Sequence, residues 1–589
     1  MNDLSSRIQW DRIEPAFNSD YAAFPSRRSV VFGTLGMIAS PNPLASSAGI
    51  EILNKGGNAA DAAVATAAVL NVVDPCNCGI GGDAFCLFFN SADQSLKGLN
   101  GSGRSPAALS LEKARELGIS GREIPIKNIN SVTVPGSCAA WVDTIKLFGS
   151  GRVSLAEVLQ PAIRLADEGF PVSEIVSVEW QRSESLLKAA SPNGHEMLLD
   201  GQRAPRTGEI MTNKTLAETF KTVAQHGRDG FYRGRISEEI VKLIKSKGGV
   251  MELSDLDSHT STPVDPISYA YHAANQGGVT LHELPPNGQG LTALMALGIL
   301  ECLEESGVVD MGKMEHNSVE WLHTLIECMR LAFADTRAYV ADPSKQDVPV
   351  KEMLDKEYLR SRSKLFDPTK AKANVSRGSP IKTQETVYFT TGDKDGNACS
   401  FIMSNYAGFG TGAIPAGCGF TLQNRGCNFT LDPKHPNCLE PGKRPYHTII
   451  PAMVTRKNDL FLSFGVMGGF MQPQGHLQVL MNMLHRGFSV QSALDAPRFC
   501  ISAAMPDATD DQADACDING EIFLEEGIDQ NVAKALTDMG HQVKIITGPK
   551  RGMFGRGQVI QKVVDKNTGR FVWASGSDPR ADGQSIAQI

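Results

Sequence analysis

The period of the apolar positions changes repeatedly along this 589-residue chain, and each change marks an element. Residues 59–73 are Ala- and Val-rich with almost no polar face, which predicts a helix buried on most sides with Asn58 as its N-cap. Pro41 and Pro43 open the helix before it, and Gly56-Gly57 ends that one. A short strand is read at 29–32, and the apolar and aromatic run 83–89, entered through Gly81-Gly82, predicts a central strand. Residues 154–247 are largely helical, with Ile236, Ile240, Leu243 and Ile244 forming a stripe that Gly248-Gly249 closes. Helices follow at 294–305, 317–339 and 474–486, and strands at 386–391, 398–403, 460–464 and 557–564. The stretch 342–384 is charged, carries Pro343, Pro349, Pro368 and Pro380, and predicts a solvated, mobile connector. This alternation suits a layered α/β body and leaves the order of the layers open.

A 41% hydrophobic share over this length supports one large core or two fused ones. Net charge is -8, and no Lys/Arg cluster interleaves with aromatics, which argues against a nucleic-acid partner. Residues 1–28 carry Asp3, Asp11, Glu14 and Asp20 and lack the apolar core of a secretory signal, and the longest apolar runs are too short to span a bilayer. The expectation is a cytoplasmic protein without a membrane partner. The 12 cysteines lack the spacing of a disulfide scaffold and read as free thiols. Cys76-Asn77-Cys78 has a gap poorly suited to zinc, and His435, His447 and His476 are isolated, so no metal and no cofactor is called for. Gly408, Gly410 and Gly412 lack both the dinucleotide spacing and a following Lys-Ser or Lys-Thr, which argues against a nucleotide.

Thr386, in Glu385-Thr386-Val387-Tyr388-Phe389-Thr390, carries the chemical reading. A cut before it would free its α-amine, giving one residue both a nucleophilic hydroxyl and the base that takes its proton. Its neighbours in sequence include Gly408-Phe409-Gly410-Thr411-Gly412, Gln423-Asn424-Arg425-Gly426, Arg444-Pro445-Tyr446-His447-Thr448 and Gly468-Gly469. With Asn58-Ala59-Ala60-Asp61-Ala62-Ala63 and Gly79-Ile80-Gly81-Gly82-Asp83, the chain resembles the γ-glutamyltransferase family of N-terminal-nucleophile hydrolases over nearly its whole length.

That resemblance implies a four-layer αββα sandwich in which the precursor cuts itself between Glu385 and Thr386. Residues 1–385 would form a large, helix-rich subunit and 386–589 a small one, both interleaved in one fold, with a higher oligomer left open. It implies that Thr386 forms the acyl-enzyme, that Ser404 hydrogen-bonds the nucleophile, and that the N–H groups of Gly468 and Gly469 hold the oxyanion. Arg104 matches the arginine that pairs with a substrate carboxylate, and Asn424 matches an asparagine of the family's strand motif. The chain departs from the transpeptidases at Arg425, Asn428, Tyr406, His447 and Thr448, where the aligned pocket loses one negative charge and gains a positive one. These variants resemble the branch containing oxamate amidohydrolase and the glutathione-hydrolase-like proteins. The function implied is hydrolysis of an amide in a small carboxylate-bearing substrate, γ-glutamyl or oxamate-like. Transfer of a γ-glutamyl group to amines, or a processed but inactive binding protein, are the alternatives.

Overall fold

The computed structural model describes residues 28–272, 278–372, 385–501 and 521–589. Two seven-stranded sheets form its centre. The first runs, in spatial order, Val31–Gly33, Phe571–Ser577, Arg556–Val564, Asp459–Met467, Ala452–Arg456, Val279–Glu283 and Ile267–Tyr271. The second runs Gln584–Ala587, Met37–Ser40, Glu385–Gly392, Ala398–Tyr406, Asp83–Asn90, Ser95–Gly101 and Thr262–Val264. Every pairing within both sheets is antiparallel.

Strand periodicity sorts side chains into layers. Along Glu385–Gly392, Val387 and Phe389 enter a core shared with helices, whereas Tyr388 enters a core between the sheets. Phe85 and Leu87 do the same on Asp83–Asn90, meeting Met453, Ile560 and Trp573 of the facing sheet. The outer face of the second sheet is covered by helices including Ala59–Val73, Ser137–Phe148 and Leu155–Glu168. Helices Gly290–Glu305, Val319–Tyr339 and Met471–Arg486 cover the outer face of the first. The layers are therefore helix, sheet, sheet, helix.

Local chemistry sets the elements much as the sequence predicts. Asn58 accepts from the N–H groups of Ala60 and Asp61, Asp61 answers to the Asn58 N–H, and all fifteen residues of Ala59–Val73 are buried. The expected connector is largely exposed, as read, but it has more local structure than its weak periodicity suggests. Between Asp342 and Lys372 the chain forms short helices Val350–Met353 and Lys356–Ser363. Leu359 is buried against Gly290–Glu305, Lys356 pairs with Glu301 at 2.5 Å, and the Asp342 carboxylate accepts from the Arg444 N–H at 2.8 Å. Most of these residues are exposed or half-buried, as the charges and prolines predict, and Asp342, Met353, Leu359, Ser363 and Phe366 are the buried points that tie the segment to the body. Residues 373–384, the remainder of that stretch, lie outside the described residues, as does nearly all of the polar leader.

Both sheets contain strands from either side of residue 386, so a cut before Thr386 would leave neither piece with a complete sheet. No helix among the described residues is long and apolar enough to cross a membrane.

Candidate active site

Thr386 sits one residue into its strand at a bulge, where the register against Ala398–Tyr406 shifts between Glu385 and Val387. It is fully buried, and its hydroxyl donates to Ser404 Oγ at 3.2 Å. Ser404 Oγ also accepts from the Tyr406 N–H at 2.8 Å. Asp83 is the register partner of Ser404 on the next strand, so three polar residues occupy the same end of three adjacent strands.

Asp83 is fully committed: Oδ1 accepts from the Gly103 N–H at 2.9 Å and Oδ2 from His447 Nε2 at 3.0 Å. His447 Nδ1 accepts from the Ile449 N–H, which fixes a neutral ring with its proton on Nε2. Burial, with Arg425 nearby, pushes the His447 pKa down to about 3 against the pull of Asp83, so the pair is a hydrogen bond from a neutral imidazole to a carboxylate.

Arg425 opens the short 3₁₀ turn Arg425–Asn428 and is fully buried. Its guanidinium lies over the Tyr406 ring, 4.4 Å from the centroid, and Nη1 donates to Thr448 Oγ1 at 2.7 Å. Tyr406 itself has φ of 78°, a left-handed backbone unusual for an aromatic residue. The Thr448 carbonyl accepts from Gln289 Nε2 at 2.6 Å, and the same nitrogen donates to the Gly469 carbonyl at 2.8 Å. Gly468 and Gly469 follow the strand Asp459–Met467 with φ of 124° and 58°, a turn that needs glycine. Their carbonyls accept from Met471 and Gln472, leaving the N–H side of the turn as the one available to an oxyanion.

One chain of contacts thus links Thr386, Ser404, Tyr406, Arg425, Thr448, Gln289 and Gly469. The other expected site residues are placed differently. Asn424 spends its side chain on the Ala407 N–H and the Ile126 and Gly410 carbonyls. His447 has both ring nitrogens engaged, and Asn428 donates to the Tyr446 carbonyl at 3.1 Å. Arg104, half-buried, directs its guanidinium at the Thr260 carbonyl 3.4 Å away, which Arg444 also contacts.

Asp83 and Gln289 were given no role from sequence. Asp83 closed a glycine motif that was already in view, and Gln289 stands in Pro285-Pro286-Asn287-Gly288-Gln289-Gly290, a turn cluster whose density was the available signal. Two buried groups bring donors within 4.8 Å, His323 with Glu327 and His541, and Asp74 with Cys76 and Glu179. Their atoms are taken internally: His323 bonds His541 at 2.8 Å, Arg330 pairs with Glu327, and Asn77 donates to both Asp74 and Glu179.

A buried hydroxyl at the start of a central strand, in a helix, sheet, sheet, helix sandwich, defines the class of N-terminal-nucleophile hydrolases. The chain matches the Gamma-glutamyltranspeptidase profile over residues 45–588, and it belongs to that family of amide-bond hydrolases and transferases. It is 35% identical to the glutathione hydrolase-like YwrD proenzyme of Bacillus subtilis, over 94% of this chain and 99% of that one. The oxamate amidohydrolase proenzyme of Klebsiella pneumoniae is 29% identical, over 93% and 98%. Among solved structures, the cephalosporin acylase from Bacillus halodurans superimposes with a TM-score of 0.83 at 39% identity, covering 97% of this chain and 99% of that one.

Proposed function

We propose that the chain is an autoprocessing amidohydrolase whose nucleophile is Thr386. The Thr386 hydroxyl adds to the Glu385 carbonyl, the acyl group moves from nitrogen to oxygen, and water cleaves the resulting ester. Glu385 then ends in a carboxylate and Thr386 gains a free α-amine. In turnover that amine takes the hydroxyl proton as Oγ1 attacks the substrate carbonyl, and returns it to the departing amine. Water resolves the acyl-enzyme by the same route. The N–H groups of Gly468 and Gly469 would receive the oxyanion, and such preorganised donors are each worth roughly 3 to 4 kcal/mol.

The observation that carries this reading is the fully buried Thr386 hydroxyl bonded to Ser404 at 3.2 Å, at a bulge in the strand that begins at Glu385. The proenzyme relatives support processing, and the names glutathione hydrolase, oxamate amidohydrolase and acylase support a small amide substrate, γ-glutamyl or oxamate-like. The described cysteines, all buried free thiols, support a reducing, cytoplasmic setting.

Denaturing electrophoresis tests it: wild type should separate into pieces of 385 and 204 residues, 589 minus 385, while Thr386→Ala should run as one chain. Oxamate, γ-glutamyl-p-nitroanilide and glutathione then sort the substrates. An intact wild-type chain that turns these amides over would refute the assignment of Thr386.

A further inference from the structure

A buried arginine is normally matched to a carboxylate, because removing its charge from water without one is costly. Arg425 is fully buried and forms no ion pair among the described residues. Nη1 is used by Thr448, but among the described residues Nε and Nη2 have no hydrogen-bond acceptor. Those two nitrogens share one edge of the planar guanidinium, where two N–H bonds point in parallel at the spacing of a carboxylate's two oxygens. Asp83, the nearby acid, has already given both oxygens to Gly103 and His447. The unusual backbone of Tyr406 holds the aromatic ring that supports the guanidinium from its face, and the Tyr406 N–H bonds the same Ser404 oxygen that receives Thr386. The unpaired edge is therefore built into the frame of the nucleophile.

Resting on the reading of Thr386 above, we propose that Arg425 grips the acyl-side carboxylate of the substrate edge-on, and that the preferred substrates are half-amides of dicarboxylic acids lacking an α-ammonium. A γ-glutamyl group would bring its ammonium toward a buried cation, and the two oxygens of Asp83, the acid acting on Arg425, already accept from Gly103 and His447. A half-amide brings only the anion that the edge lacks. Oxalic and glutaric half-amides share this chemistry and differ in the distance from carboxylate to scissile carbonyl.

Glutaryl-p-nitroanilide and γ-glutamyl-p-nitroanilide differ only in the ammonium, and oxamate supplies the shortest spacing. Wild type should favour glutaryl-p-nitroanilide or oxamate over the γ-glutamyl anilide by at least about tenfold in kcat/KM. Arg425→Gln should lower kcat/KM on the half-amide about a hundredfold, chiefly through KM, and should narrow the ratio between the two anilides, with Arg425→Lys recovering part of the loss. A wild-type preference for the γ-glutamyl anilide, or an equal loss on both anilides in Arg425→Gln, would overturn the proposal. Should the variant not fold, calorimetric titration of the wild-type protein with glutarate and with L-glutamate decides: tighter glutarate supports it, and equal or tighter glutamate rejects it. Failure of the Thr386 reading shows separately, as an uncut chain or as absent turnover, and the titration is independent of both.

Discussion

His447 donates from Nε2 to Asp83 across 3.0 Å, with both side chains fully shielded from solvent, and so ties the segment after Arg444 to the start of the strand beside Ser404. Because Asp83 also fixes the Gly103 N–H, one carboxylate sets the positions of two loops around the nucleophile. Protonation of Nδ1 would cost the bond it accepts from the Ile449 N–H and would place a buried charge near Arg425, so the site favours the neutral imidazole.

Acid should therefore destabilise the fold. The His447 pKa is pushed down to about 3, chiefly by burial, against about 6.5 for an unfolded histidine. Unfolding takes up a proton between those values, so this stability is complete above about pH 6.5 and is lost as pH falls toward 3, by about 1.4 kcal/mol per pH unit per histidine. His541, at about 3, and His282 and His316, at about 4, act in the same direction. Asp74, raised to about 7 mainly by burial, opposes them with one proton. Urea midpoints should fall between pH 6.5 and 4.5, and His447→Gln should reduce that slope by about one proton. An unchanged slope in His447→Gln would show that His447 does not take up its proton on unfolding over this range.

A second pH dependence belongs to turnover. A free terminal amine has a reference pKa of about 7.7 to 8.0, and burial at the Thr386 position disfavours its ammonium form. The acid limb of kcat/KM should rise with one ionisation at or below that range, and Thr386→Ser should keep the limb at a lower plateau. Ser404→Ala, which removes the acceptor 3.2 Å from the nucleophile, should cost about three- to tenfold in kcat, the worth of one ordinary hydrogen bond. A limb that moved several units in Ser404→Ala would instead assign the essential base to that end of the network.

Legibility in the sequence followed the range of the forces involved. Ala59–Val73 was readable because its cap, its period and its burial all lie within one helix, and the strand at Thr386 because alternation is local. Asp83 and His447 are 364 residues apart, and nothing in either local window announces the bond. The connector is a related case: its solvated character was readable, but Lys356 and Leu359 have partners on Gly290–Glu305 that are remote in the chain. Arg425 was visible as an added charge, but its unpaired edge is a property of the three-dimensional neighbourhood.

Gln289 offers a test of preorganisation. One amide nitrogen holds the carbonyls of Thr448 and Gly469, which places the Gln289 side chain between the Arg425 support and the glycine turn. Gln289→Leu keeps the volume and leaves two buried carbonyls without that donor, at a stability cost of about 1–3 kcal/mol. If the turn's N–H groups serve the oxyanion, kcat should fall about tenfold or more while KM changes little. A rise in KM at constant kcat would assign Gln289 to substrate binding instead.

Gly103 combines packing and chemistry in one position. A Cβ there would lie 1.7 Å from the Val134 carbonyl oxygen, a backbone atom that cannot swing aside, and its own N–H is the donor to Asp83. Val134 is itself held, since its N–H donates to the Arg104 carbonyl at 2.9 Å. Gly103→Ala must therefore displace the loop Gly101 to Arg104, and overpacking of this kind costs about 1–3 kcal/mol or more. The displacement would weaken the bond to Asp83 and, through it, the placement of His447. The expected outcome is a lower urea midpoint together with slower appearance of the 204-residue piece, 589 minus 385, in a time course of processing. Equal stability with normal processing would mean that Asp83 positions the site without help from Gly103, and the weight of the argument would then move to the bond with His447.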